Sequence, residues 1–129
     1  MRLPSPQMMI LRCAATLWLS AVIGQAGFAA AGIGRDHSWF GAHEVGAVIA
    51  LAIAVVSGVL YVALRRHGGA VTTGLALLGV VATLAQYALG ESGVIDVHVF
   101  LGVLLAMIVT ALTSWTYRHD DGRGDARVE

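Results

Sequence analysis

Four long apolar stretches divide the chain. The segments 13–34, 45–64, 68–90 and 97–117 contain no aspartate, glutamate, lysine or arginine. Each is about 20 residues long, which at about 1.5 Å of helical rise per residue spans a hydrocarbon core of roughly 30 Å. None has the polar stripe at helical spacing that is typical of a helix on the surface of a soluble protein. The pattern therefore predicts an all-α, four-helix transmembrane bundle.

Composition supports this interpretation and sets the expected boundaries. Of the 129 residues, 57% are hydrophobic and 12% are charged, whereas a soluble domain has about a quarter of its residues charged. A chain of this size cannot bury four apolar helices inside protein, so the lipid bilayer is the expected solvent. We expect one transmembrane domain over residues 1–117, followed by a disordered tail over 118–129, where charges and glycines alternate. The helices are expected at about 10–34, 43–64, 68–90 and 97–117.

The distribution of arginine predicts the orientation in the membrane. The chain has no lysine, and its arginines cluster before the first helix, after the second and after the fourth. In the other two connections, 35–44 and 91–96, the only charged residues are Arg35 and four acidic residues. By the positive-inside rule, both termini are predicted to be cytoplasmic, with these two connections outside. The net charge of zero indicates no nucleic-acid partner.

The first helix has a second interpretation as a signal peptide. Arg2 and Arg12, the apolar stretch and the small residues of 28–32 together resemble a signal sequence with a cleavage site. The apolar run is long for that role, and Gln25 is unusual within it. Cleavage would leave three helices and an external N-terminus, so whether this helix is ever removed stays open.

The lone cysteine excludes one class of function. Cys13 has no second cysteine to pair with, so the chain contains no disulfide, no CxxC redox pair and no thiolate metal cluster. A membrane thiol oxidoreductase is therefore excluded.

Two of the five histidines stand where helices begin. His43 opens the second helix in AHEVGAVIALAI, and His98 opens the fourth in VHVFLGVLLAMI. Because these helices run in the same direction, we expect the two imidazoles at matching depth, facing each other across the bundle. Ionisable residues at membrane depth are the first place to look for function.

A repeated pattern connects these histidines with two glutamines. Gln25 lies near the outer end of the first helix and Gln86 near the outer end of the third. Each half of the chain thus consists of a helix with a glutamine, an outer loop, and a helix that opens with histidine. This pattern indicates a divergent internal duplication of a helix pair. The two pseudo-repeated halves would place His43 and His98 on opposite sides of one central site.

Two imidazoles at one depth in an apolar bundle suit axial ligation of a haem iron. Gly46 and Gly102, one turn further into each helix, would leave room for the porphyrin face, and Arg35 would balance the charge of the propionates. The second nitrogen of each imidazole needs a hydrogen-bond partner, for which Gln25, Gln86 or a backbone carbonyl would serve. Zinc is disfavoured because two histidines do not complete a tetrahedral site.

Simpler interpretations of the same residues stay open. His43 with Glu44, and His98 with Asp96, can form ion pairs at the membrane surface. Glutamines within membrane helices commonly hydrogen-bond between helices without touching a ligand.

Two segments carry a family resemblance. The stretch QYALGESGVIDVHVFLGVLLA resembles the glutamine–leucine–glycine helix and the following histidine helix of the haem A synthase family, and HEVGAVIALAIAVVSGVLYVALRR resembles its other histidine helix. The resemblance covers roughly residues 10–117 and corresponds to one four-helix half of that eight-helix enzyme. The chain also resembles small four-helix bacterial membrane proteins with the same arrangement, which implies a bacterial inner membrane. The resemblance to the haem A synthase family implies that His43 and His98 ligate a b-type haem, as two histidines do in one half of the enzyme.

Departures from the family change the expected activity. Phe40 stands where the enzyme's catalytic half has a glutamate, and the cysteine pair of the outer loop is absent. One half-unit cannot hold both a substrate haem and a cofactor haem, so the chain is not expected to oxygenate haem or to be a complete enzyme.

The expected function is that of a small membrane cytochrome b, which passes single electrons near the outer face with a quinone or a respiratory complex as partner. One alternative is a haem-free accessory or assembly subunit of a respiratory complex. Another is a protein that carries haem transiently, which would need the same ligands. The electron donor and acceptor, the reduction potential and the oligomeric state stay open.

Overall fold

A computed structural model describes residues 4–119 and is helical throughout. The four helices are α1 (Pro6–Gly34), α2 (Trp39–Ala63), α3 (Arg65–Glu91) and α4 (Ile95–Arg118), and no strand occurs in this part of the chain. Each helix is long and apolar enough to cross a membrane. The prediction of an all-α bundle of four transmembrane helices is confirmed. Residues 120–129 of the predicted tail lie outside the described residues, and Arg118 still belongs to α4.

Local chemistry explains where α1 begins and where α3 bends. The Ser5 side chain accepts a hydrogen bond from the backbone N–H of Met8, and Pro6 occupies the first turn, where its fixed φ suits a helix. Helix α1 therefore starts before the apolar stretch does. Helix α3 is interrupted at Gly69, whose φ of +86° lies in the left-handed region that favours glycine.

The helices alternate in direction around one core. Helix α1 packs against α2 and α4, and α3 packs against the same two helices. Along one diagonal α1 and α3 also touch, whereas the Cα atoms of α2 and α4 stay more than 8 Å apart on the other. Side chains from α2 and α4 must therefore reach across the centre to meet. We call the end formed by the connections 35–38 and 92–94 the histidine end, and the opposite end, with the junction at Leu64, the terminal end.

Small residues and two large aromatic side chains fill the core. Trp18 and Tyr61 are fully buried. The indole of Trp18 lies against Gly79, and the hydroxyl of Tyr61 donates to the carbonyl of Leu11 and lies 2.6 Å from the hydroxyl of Thr116. Large apolar side chains face outward on every helix, as lipid contact allows. Examples are Leu17, Val59, Val81, Phe100 and Met107.

Charge is segregated between the two ends of the described chain. Every acidic residue in 4–119 belongs to the histidine end, where Arg35 is the one arginine. The other arginines belong to the terminal end. The acidic residues are Asp36, Glu44, Glu91 and Asp96, and the arginines of the terminal end are Arg12, Arg65, Arg66 and Arg118.

Candidate functional site

The structure brings His43 and His98 together at the histidine end. Their ring centroids are 6.1 Å apart, and the ring planes are inclined at 81°. His43 lies in the second turn of α2 and His98 in the first turn of α4, and both are half-buried. Because α2 and α4 are diagonal neighbours, the two side chains meet inside the bundle rather than on its surface.

Backbone carbonyls of the preceding helices hold both imidazoles. The Nδ1 atom of His43 lies 3.0 Å from the carbonyl oxygen of Gln25, and the Nδ1 atom of His98 lies 3.0 Å from that of Gln86. A carbonyl oxygen can only accept, so each Nδ1 carries the hydrogen and donates it. Each Nε2 of a neutral ring therefore keeps its lone pair. Of the partners that the sequence allowed, the structure uses the backbone carbonyl in both halves.

The two helix pairs repeat this arrangement although their sequence spacings differ. Gln25 precedes His43 by eighteen residues, and Gln86 precedes His98 by twelve, yet both hydrogen bonds have the same length. Helix α1 continues from Gln25 to Gly34, whereas α3 continues only from Gln86 to Glu91, which accounts for four of the six extra residues. The connection before α2 and the part of α2 before His43 are each one residue longer than their counterparts. The difference in spacing is taken up outside the site.

The glutamine side chains occupy the space over the two glycines. A Cβ atom at Gly46 would collide with the amide nitrogen of Gln25, and one at Gly102 would lie 3.1 Å from the amide nitrogen of Gln86. The room expected for a porphyrin face holds glutamine amides in this structure. Within residues 4–119, both amide oxygens, Oε1 of Gln25 and of Gln86, are buried without a hydrogen-bond partner. Buried polar atoms are normally paired, so the site has two unused acceptors.

The two halves differ at the Nε2 atoms. The amide nitrogen of Gln86 lies 3.2 Å from Nε2 of His98. Since that Nε2 carries a lone pair, the amide N–H donates to it. Within residues 4–119, the Nε2 atom of His43 has no hydrogen bond. One candidate ligand atom is thus free and the other is capped.

Gly90 also belongs to the site, although it is not among the site residues predicted from the sequence. A Cβ atom there would lie 3.1 Å from Cε1 and 3.3 Å from Nδ1 of His98. Glycine at this position lets the imidazole lie directly against α3. The available signal was its place one helical turn after Gln86, on the same face of α3.

The remaining predicted residue, Arg35, lies at the same end, where α1 has ended and the connection 35–38 begins. Its side chain is exposed, and its backbone N–H donates to the carbonyl of Ala31 to close α1. Beside it, Asp36 accepts a hydrogen bond from the backbone N–H of Ser38, and this bond lowers the pKa of the Asp36 carboxyl. The Phe40 ring packs over Gly32. The connection 35–38 therefore carries charge next to the site.

Two imidazoles suit a metal that brings most of its own ligands. The ring centroids of His43 and His98 are 6.1 Å apart, close enough for both side chains to reach one ion. No group of three or more histidine, cysteine, aspartate or glutamate side chains in the described residues could hold a bare ion. Haem iron needs only two axial ligands from the protein.

Comparison of the chain with protein-family models, curated proteins and solved structures gives no match. The relation to the haem A synthase family stays a prediction, and function rests on the site itself.

Proposed function

We propose that this protein is a small membrane cytochrome b that holds one haem b, with His43 and His98 as the axial ligands. The observation that carries the proposal is the pair of carbonyl-anchored imidazoles whose centroids are 6.1 Å apart inside the bundle. Haem iron, when bound, supplies reversible transfer of single electrons.

The residues of the chain have distinct roles in this proposal. The carbonyls of Gln25 and Gln86 fix the orientation and tautomer of each ring, and the hydrogen bonds that they accept make each Nε2 a better ligand. His43 and His98 would both hold the iron, and two protein ligands favour electron transfer over oxygen chemistry. Arg35, at the same end, would balance the negative charge of the propionates. A quinone or a larger respiratory complex would exchange electrons with this end.

The segregation of charge supports an orientation with both termini in the cytoplasm of a bacterium. In a background of Cys13→Ser, we expect single cysteines introduced at Ser38 and Ser92 to react with a membrane-impermeant maleimide in intact cells. A cysteine at Arg66 should react only after permeabilisation, because it belongs to the arginine-rich end. All three positions are exposed in the structure. Labelling of Arg66→Cys in intact cells, with Ser38→Cys protected, would invert the orientation.

Haem content tests the proposed function directly. The protein purified from cells supplied with a haem precursor should be red, and its reduced spectrum should show the sharp bands of low-spin, six-coordinate iron. The pyridine haemochrome should identify the group as haem b, at about one per chain, since the chain offers one pair of axial ligands. A colourless protein from cells with ample haem would instead support the haem-free accessory subunit.

The transient haem carrier needs a separate measurement, because it would use the same ligands. Transfer of haem from the purified protein to excess apomyoglobin gives the dissociation rate. A cytochrome is expected to release haem over many hours, whereas release within minutes would indicate a carrier.

A further inference from the structure

We propose that Gln86 is a positioning residue that caps Nε2 of His98 and thereby sets the order of ligation, with His43 binding iron first and His98 second. The order of ligation rests on the proposed function, whereas the cap itself does not. Nothing in the internal repeat predicts such an asymmetry, since Gln25 and Gln86 hold equivalent positions in the two halves.

The cap follows from the chemistry of one lone pair. Nδ1 of His98 donates to the carbonyl of Gln86, so Nε2 is the unprotonated nitrogen. The amide N–H of Gln86, 3.2 Å away, occupies the lone pair of that Nε2. One lone pair cannot serve an amide hydrogen and a metal together. The Gln86 side chain must therefore move before His98 can ligate anything.

His43 faces no such obstacle. Its Nδ1 is anchored in the same way, and its Nε2 has no hydrogen bond within the described residues. The amide nitrogen of Gln25 lies over Gly46, as that of Gln86 lies over Gly102, but in the described residues it makes no hydrogen bond to the imidazole. His43 is therefore ready to ligate in the conformation that the structure shows.

Little holds the Gln86 amide in place. Its oxygen is buried and makes no hydrogen bond in the described part of the chain, so displacement breaks a single hydrogen bond, the one to Nε2. The amide already lies over Gly102, in space that a side chain at this position would fill. A single hydrogen bond of ordinary net strength corresponds to a factor of about five in a rate or an equilibrium. The cap thus delays His98 without preventing its use.

A haem-free experiment tests the cap. Diethyl pyrocarbonate is attacked by the unprotonated nitrogen of an imidazole, which becomes N-ethoxycarbonylated as ethanol and carbon dioxide are released. In the full-length apoprotein, mass spectrometry should show His43 modified faster than His98. Gln86→Leu should raise the rate at His98 by about fivefold, the effect of one lost hydrogen bond. The matched control Gln25→Leu should leave His98 unchanged.

Three outcomes would overturn the cap. These are an unchanged His98 rate in Gln86→Leu, an equal rise in Gln25→Leu, or a joint rise at His43 and His98 in Gln86→Leu. The joint rise would mean that the amide supports the whole site rather than one nitrogen.

Haem loading tests the order of ligation. Apoprotein carrying His43→Ala should load haem slowly, since its one remaining ligand is capped, and adding Gln86→Leu should accelerate loading by about fivefold. In a His98→Ala background, Gln86→Leu should change nothing. Loading of His43→Ala that Gln86→Leu does not accelerate would refute the order. Failure of the wild-type chain itself to bind haem would refute the proposed function, while the reactivity of His98 would still report on the cap.

Discussion

Replacement of His98 with alanine is expected to abolish the low-spin, six-coordinate spectrum of the reduced protein. The haem should become five-coordinate and high-spin on His43 alone, or be lost. His43→Ala should have the same or a stronger effect, because the remaining imidazole is capped by Gln86. Loss of partners that merely orient a metal ligand typically costs 10–100-fold in affinity. We therefore expect the loss of a ligand itself to cost more than about 100-fold, measured by haem titration and by optical and electron paramagnetic resonance spectra.

The other three histidines provide matched controls. His37 lies in the exposed connection at the histidine end, whereas His67 and His119 lie at the opposite end of the bundle. Alanine at any of them should leave the spectrum unchanged. A low-spin spectrum that persists in His98→Ala would show that another group ligates the iron, and the assignment of the pair would be wrong.

The parts of the fold that lipid dictates were predictable from the sequence. A bilayer of fixed thickness demands about 20 apolar residues per crossing, so the number and approximate position of the helices follow from the gaps between charges. The nearness of His43 and His98 follows from topology, because alternate helices run in the same direction and both histidines open one. The residue at which α1 begins is set by Ser5 and Pro6 instead, and the pattern of hydrophobic residues does not reveal this.

The details of the site could not be predicted, for a physical reason. A helix that is apolar on every side carries no pattern that tells which face points inward. The sequence therefore showed glycine at 46 and 102 but not which group lies over them, and its only signal for Gly90 was the place of that residue one helical turn after Gln86. It likewise left open whether Gln25 and Gln86 act through the side chain or the backbone. The group that lies over each glycine and the atom that each glutamine uses depend on how each helix is rotated about its own axis.

The second large effect concerns the contact that sets the spacing between α1 and α3. A Cβ atom at Gly79 would lie 2.8 Å from Cη2 of Trp18, a fully buried and rigid ring that has no space to retreat into. Gly79→Leu is therefore expected to force the two helices apart. Overpacking of this kind costs about 1–3 kcal/mol of unfolding free energy and occasionally more. Unfolding by sodium dodecyl sulfate in mixed micelles, followed by circular dichroism, would measure the loss.

Gly74 on the same helix is the matched control, because a Cβ there would have nothing within 4 Å and the position is exposed to lipid. Gly74→Leu should be neutral or stabilising by up to about 1 kcal/mol, since it removes a glycine from a helix interior.

Gln25 follows Trp18 by seven residues, and Gln86 follows Gly79 by seven. Both carbonyl anchors therefore lie two turns closer to the histidine end than this contact, on the same helix faces. Separation of α1 from α3 at Gly79 should therefore spread the anchors, and Gly79→Leu should weaken haem retention as well as stability. Equal stability of the Gly79→Leu and Gly74→Leu variants would show that the indole does not set the spacing of these helices.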